Sequence, residues 1–421
     1  MNEEFLSYLW SNQLFTADKT ASGENLSVLN PGQQNTDSGP DFFNAMIKIG
    51  DTTWAGNVEI HSRSSDWQKH QHENNPAYDN IILHVVFEDD KPVFRQNNER
   101  IPTLVLKNKF NESILQKYQA FISSSKWIAC EDTIGNINHF DRLSWFDKLM
   151  AERLEQKAAQ ILKELANSNN DFHETFYRKL ARNFGFNTNG DAFESLAASL
   201  PLKILAKYNN NLLQIEALLF GQAGLLNIKF AEQYPGQLYK EYLFLAEKHK
   251  LKPIDSKRWK FMRMHPANFP TIRISQFANI IFRSSGLLHK ILETNKLTDV
   301  VALFKTQASP YWTAHFRFGK KTKPKIKSLG LSSINLLLIN TIIPFTFVYG
   351  KQTASDDLME KAVGWLEQIK SENNTIIRNF KDRGVNAQNA MQSQALIQLK
   401  NNYCDKKRCL ECRIGYLLLS G

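Results

Sequence analysis

The chain has 421 residues, 42% of them hydrophobic, and ten more positive than negative charges at neutral pH. That length allows two or three domains with their own cores, and four cysteines in such a chain exclude a disulfide scaffold. The basic excess points to an anionic partner, since clustered Lys and Arg gain affinity by releasing counterions from phosphates.

The N-terminus, MNEEFLSYLW, carries acidic residues where a secretory leader carries basic ones, so a cytoplasmic protein is expected. Residues 1–125 read as an α/β domain. A helix is expected over EFLSYLWSNQLF, then strands at FFNAMIKI, TWAGNVEIHS, DNIILHVVFED and TLVLKN, with turns at Pro31-Gly32, Gly50-Asp51 and Asp90-Lys91-Pro92. On the strand GNVEIHSR, the two-residue period places Asn57, Glu59, His61 and Arg63 on one face, with Val58 and Ile60 on the other. Asp41 opens the preceding strand directly after Gly39-Pro40. An acidic residue at one strand start, and Glu-x-His on the next, is a pattern that binds a hard divalent cation. Four of the ten histidines, His61, His70, His72 and His84, fall close together. His70 and His72 are candidates for metal ligation or for protonating a leaving oxygen. His84, alternating with Ile82 and Val86, is expected to be a hydrogen-bonded core residue.

Pro40-Asp41, seventeen residues, then Glu59-Ile60-His61 resembles the PD-(D/E)xK nuclease superfamily, whose core is an αβββα mixed sheet. The resemblance implies a restriction-endonuclease-like first domain. Asp41, Glu59 and the Ile60 carbonyl would hold Mg²⁺ or Mn²⁺, His61 would stand where the family carries Lys, and Glu3 or Glu4 would add a further acid. His is mostly neutral at pH 7 and can itself ligate a transition metal, so the departure leaves open Mn²⁺ preference, different handling of the water, or an inactive site. More extensively, GPDF, GNVEIH, SDWxxHxH and LHVV, with the cysteine-rich end, resemble an uncharacterised bacterial domain-of-unknown-function family, found mainly in the Bacteroidetes.

From about Asp141 the period becomes helical, and residues 126–400 read as a larger, mainly α-helical domain. Helices are expected through DFHETFYRKLARNFG, LLQIEALLFGQAGLL, QYPGQLYKEYLFLAEKHK, ISQFANIIFRSSGLLHKILE and DLMEKAVGWLEQIKSE. The apolar run SINLLLINTIIPFTFVYG is broken by Asn335, Asn340, Thr341 and Pro344, falls short of a bilayer span of about 20 residues, and reads as core. Two basic stretches are candidate nucleic-acid contacts: Lys257, Arg258 and Lys260, beside Trp259 and Phe261; and Arg317, Lys320, Lys321, Lys323, Lys325 and Lys327, beside Phe316 and Phe318.

Residues 401–421 hold Cys404, Cys409 and Cys412, and the remaining cysteine, Cys130, follows the α/β region. Four thiolates complete a tetrahedral Zn²⁺ site or a 4Fe-4S cluster, either of which would tie this segment back to Cys130. The cluster logic resembles that of some helicase-associated and CRISPR-associated PD-(D/E)xK exonucleases, with different order and spacing. The leading expectation is a metal-dependent nuclease acting on DNA rather than RNA. A catalytically degenerate nucleic-acid-binding protein, and a His-rich metalloenzyme acting on a small molecule through His61, His70 and His72, are the alternatives.

Overall fold

The computed structural model describes residues 1–35, 37–226, 232–284 and 286–421. The chain divides into two compact units, Met1–Trp145 with Asp382–Val385 and Leu399–Gly421, and Phe146–Lys381 with Asn386–Gln398. The C-terminal residues Leu399–Gly421 are thus part of the first unit.

In the first unit, α1 (Glu3–Ser11) is capped by Asn2, whose side chain accepts the Phe5 N–H at 3.0 Å. It ends earlier than its apolar run, because Gln13 takes a left-handed backbone (φ 51°) that turns the chain away. Six strands follow: β1 (Leu26–Asn30), β2 (Gln33–Gln34), β3 (Phe42–Ile49), β4 (Thr52–Arg63), β5 (Ile81–Glu88) and β6 (Thr103–Val105). They form one mixed sheet in the order β1-β3-β4-β5-β6, with β2 also on β3. The β3/β4 hairpin turns at Gly50 (φ 56°) and is antiparallel, whereas β4/β5 and β5/β6 are parallel. A parallel pair cannot be joined by a tight turn, so residues 64–80 cross over between β4 and β5. That crossover carries the short helix α2 (Asp66–Lys69), two single-turn helices, His70 and His72.

β1, β2 and α3 (Glu112–Ser123) are not apparent from the sequence pattern; in β1 only Leu26 is buried, and no alternation marks the strand. The core joins Phe5, Leu9 and Trp10 of α1 to Ile47, Ile60, Leu83 and Leu104 of the sheet, and to Leu419 of the last helix. β5 has its first six residues buried whichever way they point, as expected for a strand with parallel neighbours on both sides.

The second unit is helical. α4 (His139–Asn167) runs into it from the first, followed by α5 (Phe172–Phe184), α6 (Phe186–Ser199), α7 (Leu202–Leu205), α8 (Leu212–Gln222), α9 (Gln233–His249), α10 (Pro270–Arg283), α11 (Leu287–Glu293) and α12 (Leu297–Phe304). The helix expected through residues 274–293 is two helices, ending at Arg283 and resuming after Gly286 (φ 70°); Ser285 lies outside the described residues. A small hairpin, β7 (His315–Arg317) and β8 (Lys320–Lys321), precedes α13 (Leu331–Leu337), α14 (Ile343–Gln352), α15 (Asp356–Gln368), α16 (Thr375–Asp382) and α17 (Ala390–Gln398). α18 (Arg413–Ser420) returns to the first unit.

A π-helical turn, Leu338–Ile342, joins α13 and α14, so Leu331–Gln352 is one helix of 22 residues, long and apolar enough to cross a membrane by length and composition. The expected shortfall in length therefore does not hold. Its Leu337, Leu338, Ile342, Ile343 and Phe345 lie in the core of the second unit, and 61% of its most apolar window is buried there.

Candidate metal centre

Strand β4 presents Glu59 and His61 toward the same side, as its period requires, and both are buried. Asp41 lies across from them at the head of β3. Its own N–H donates to Glu59 Oε2 at 3.1 Å, and its Oδ2 accepts the Ile60 N–H at 2.9 Å, so each carboxylate is held by the neighbouring strand's backbone. Ile60 itself points into the core.

The crossover brings the other histidines back over β4. Its start is pinned by Asp90, which accepts from Ser64 Oγ (3.0 Å), Ser65 N–H (2.9 Å) and Ser65 Oγ (2.8 Å). Gln71, left-handed at φ 60°, then reverses the chain between His70 and His72. His72 is stacked under the Tyr78 ring at 3.9 Å, and Trp67 packs edge-on to both His72 and Tyr78. Trp67 and Tyr78 anchor in a small apolar cluster with Ile81, Val93 and Ile101.

The donor atoms converge. His61 Nε2 lies 3.7 Å from Glu59 Oε1 and 3.1 Å from His70 Nδ1, and His72 Nε2 lies 3.3 Å from Glu59 Oε1. His61, His70 and His72 each offer a nitrogen within 4.8 Å of the other two. His72 Nε2 is buried yet makes no hydrogen bond, because its approach to Glu59 is close in distance but poorly aligned. Ligands around a tetrahedral first-row cation at roughly 2.1 Å stand about 3.4 Å apart, close to the 3.1, 3.3 and 3.7 Å contacts that link these atoms. On the far side of His61, Nδ1 bonds His84 Nε2 at 2.8 Å, which fixes the ring with Nε2 toward the carboxylates. His84 is the buried, hydrogen-bonded core histidine expected, and it also orients a candidate ligand.

The electrostatics agree. Burial, then the Glu59 charge, pushes the Asp41 carboxyl up to about 7 from an ordinary 3.8. Burial, then the neighbouring imidazoles, lowers His61 to about 2 and His84 to about 3, so both rings are neutral near pH 7. Two carboxylates beside neutral imidazoles form an acceptor-rich pocket that a cation would satisfy. Of the two glutamates on α1, Glu3 lies near enough to raise Asp41 and to accept the Ser62 N–H at 3.4 Å. Glu4 instead acts on Cys409.

The four cysteines are in the first unit and unpaired by disulfides. Cys130 feels the charges of Cys409 and Cys412, and Cys404 those of all three others, after burial, which dominates and raises every one of the thiols. Cys412 occupies the N-cap position of α18, where the Gly415 and Ile414 N–H groups lower its thiol pKa against the larger effect of burial. A side chain at Gly415 would collide with the Cys409 carbonyl at 2.0 Å, so this turn requires glycine. Among the described residues, no three of these sulfurs lie within 4.8 Å of one another.

The basic stretches are in the second unit, separate from these residues in the chain's organisation. Lys320, Lys321, Lys323, Lys325, Lys257, Arg258 and Lys260 are exposed. Arg317 lies over the rings of Phe261 (4.4 Å) and Phe269 (5.2 Å). Two expectations need correction. Lys327 is buried, its ammonium donating to the carbonyls of Trp312 and Thr313, so it is not free to meet a phosphate. Trp259 is buried too, with Nε1 on the Ala223 carbonyl at 2.8 Å, and offers no stacking face.

Sequence reasoning missed the roles of Trp67 and Tyr78, although their place within the histidine-rich crossover was a signal. It also missed the His61–His84 pair, which exists only because β4 and β5 are parallel with Glu59 level with His84. No curated protein and no solved structure matches the chain. A family model described as protein of unknown function DUF2851 matches residues 3–375. By that match over most of its length, the chain belongs to the DUF2851 family.

Proposed function

We propose that the first unit is a metal-dependent nuclease whose cation is held by Glu59, His61 and His72, with Asp41 and His70 beside them. The supporting observation is that His61 Nε2 and His72 Nε2 lie 3.7 and 3.3 Å from Glu59 Oε1, with His61, His70 and His72 offering nitrogens within 4.8 Å of one another and His72 Nε2 buried and unbonded. Neutral imidazoles favour Mn²⁺ or another first-row transition metal over Mg²⁺. Bound there, the cation polarises a phosphoryl oxygen and acidifies a water.

The residues divide the remaining work. Asp41, whose backbone N–H bonds Glu59 Oε2 and whose Oδ2 accepts the Ile60 N–H, stands beside the cation, where it would add a ligand or take a proton from the attacking water. His84 holds His61 in one orientation. His70, exposed at the rim and 3.1 Å from His61, is placed to deliver a proton to the leaving oxygen. A mixed sheet with Asp41 directly before β3 and Glu-x-His on β4 supports the nuclease resemblance and hence a phosphodiester substrate, DNA before RNA.

The same observation supports a second reading, a hydrolase of small molecules on the histidine site. Metal analysis and a Mn²⁺-dependent cleavage panel of single-stranded, duplex and branched DNA and RNA separate them. Cleavage by the parent and none by Glu59→Gln supports the nuclease. No cleavage of any nucleic acid, with metal bound, removes it.

For the cysteines we propose a second, structural centre tying the C-terminal segment to Cys130. The four thiols lie in one unit, with Cys130, Cys404 and Cys412 each feeling the charge of Cys409, which supports one shared centre, a Zn²⁺ site or a 4Fe-4S cluster. Iron with sulfide in anaerobically purified protein would identify the cluster and zinc near one equivalent the zinc site; finding neither metal would remove the proposal.

A further inference from the structure

The second unit contains a cleft of about 1210 Å³, larger than the roughly 300–1,000 Å³ of ordinary small-molecule pockets. Its wall is built from the end of α5, the start of α6, α13 with the π-turn, and residues 370–374. Six asparagines line it: Asn183, Asn187, Asn335, Asn340, Asn373 and Asn374.

The π-turn that shapes its floor has a chemical cause. Pro344 has no N–H, so the carbonyls of Asn340, four residues back, and Ile339, five back, lose the donors a helix would supply. The second unit supplies others. Asn183 Nδ2 donates to the Asn340 carbonyl at 3.2 Å and to Thr341 Oγ1 at 2.7 Å. Lys157 Nζ donates to the Ile339 carbonyl and to Asn340 Oδ1, both at 3.1 Å. The Asn340 side chain is thereby fixed at the cleft wall from behind, which is the preorganisation a recognition surface needs.

We propose that this cleft binds a short stretch of single-stranded nucleic acid, its amides reading unpaired bases and Lys260 and Lys370 at the rim meeting phosphates. Asn183 Nδ2 and Asn340 Oδ1 are spent on the π-turn and Asn374 Oδ1 on the Ile377 N–H, so Asn187 and Asn335 are the amides that offer both a donor and an acceptor, the complement of a base edge, and base edges are fully exposed only when unpaired. Arg182 is already committed to Asp191 and Glu194, each at 2.6 Å, so the rim lysines, both exposed, carry the charge toward the ligand. Phe186, Leu331 and Leu336 supply apolar surface for base faces. The proposal goes beyond the nuclease reading and does not depend on it.

The test measures binding of short fluorescein-labelled single-stranded DNA, single-stranded RNA and duplex DNA to the full chain in EDTA, where no metal-dependent cleavage occurs. Lys260→Ala with Lys370→Ala should weaken single-strand binding about tenfold or more and reduce the salt slope by about two. Replacing both with Arg should restore it, and Asn335→Leu should weaken binding without changing that slope. Lys48→Ala, exposed on β3 of the first unit, should bind like the parent. If the parent binds no single strand, if it prefers duplex or a neutral oligosaccharide, or if the cleft variants bind like the parent, the proposal is overturned. Binding without metal-dependent cleavage would leave it standing and remove the nuclease reading alone.

Discussion

Glu59 in the sheet and Glu216 in α8 are buried to nearly the same depth, 5% and 2% exposed, yet their surroundings differ in kind. Glu216 is surrounded by hydroxyls: Ser275 and Ser309 donate to Oε1 at 2.7 and 2.6 Å, and Tyr234 to Oε2 at 2.8 Å. Those donors lower its pKa against a burial effect that still dominates and leaves it raised. Glu59 receives one backbone N–H, and its other neighbours are imidazoles and a second carboxylate. Burial depth therefore says little about role. A carboxylate whose acceptors are filled is a finished part of the core, whereas one facing lone pairs and like charge is a ligand set that a cation completes.

Breaking each carboxylate should give opposite results. Glu59→Gln should lower metal affinity and Mn²⁺-dependent cleavage by more than about a hundredfold while leaving the cation-free melting temperature unchanged or raised, since it removes the repulsion with Asp41. Glu216→Ala should cost about 3 kcal/mol or more by stranding three hydroxyl donors, with metal affinity unaltered in the folded fraction. Urea melts and metal titrations of both variants decide it. Activity of Glu59→Gln within a few-fold of the parent would show that the two sites are not different after all.

His84 sharpens the contrast, because it acts through His61 rather than touching a ligand. His84→Ala should weaken Mn²⁺ binding by about 10- to 100-fold. The parent, at a hundred times its dissociation constant, should gain about 2.7 kcal/mol from the cation, a gain absent in Glu59→Gln. Denaturation with and without Mn²⁺ measures both.

The pH dependence of the cation-free protein has a fixed sign. His61 and His84 are lowered from 6.5 to about 2 and 3, so the unfolded chain binds more protons below about 6.5, and their stability contribution is lost as pH falls. Asp41 is raised from 3.8 to about 7, so its contribution runs the other way and is lost as pH rises. Between about 4 and 6.5 two histidines oppose one carboxyl, leaving a net rise with pH on the order of 1 kcal/mol per unit. Asp41→Asn should steepen that rise, and a flat or inverted profile in urea would contradict the assignment.

Strands β3, β4, β5 and β6 and Glu59 with His61 on one face were legible because side-chain period and β-branched composition are local properties. Asp41 at a strand start was legible from Gly39-Pro40. The pairing of His61 with His84 was not, since strand order and parallel direction are not written in either segment. Glu216 gave no local sign, as its donors come from Tyr234, Ser275 and Ser309, far along the chain. Nor did Lys327 among the basic residues: five neighbours of its own type concealed the one whose stem is buried and whose charge is spent on carbonyls.

The smallest test touches the hydroxyl cage alone. Tyr234→Phe removes one donor to Glu216 and keeps the ring that stacks on Tyr311 at 4.6 Å. Because Ser275 and Ser309 still fill Oε1, the carboxylate loses one hydrogen bond, and the expected cost is about 1–2 kcal/mol in a urea melt. Metal affinity and cleavage should not change. Tyr78→Phe, made at the ring stacked on His72, also keeps its ring and should leave stability within about 0.5 kcal/mol of the parent. If Tyr234→Phe altered metal binding, Glu216 would belong to the functional machinery, and the distinction between a filled and an unfilled carboxylate would lose its meaning here.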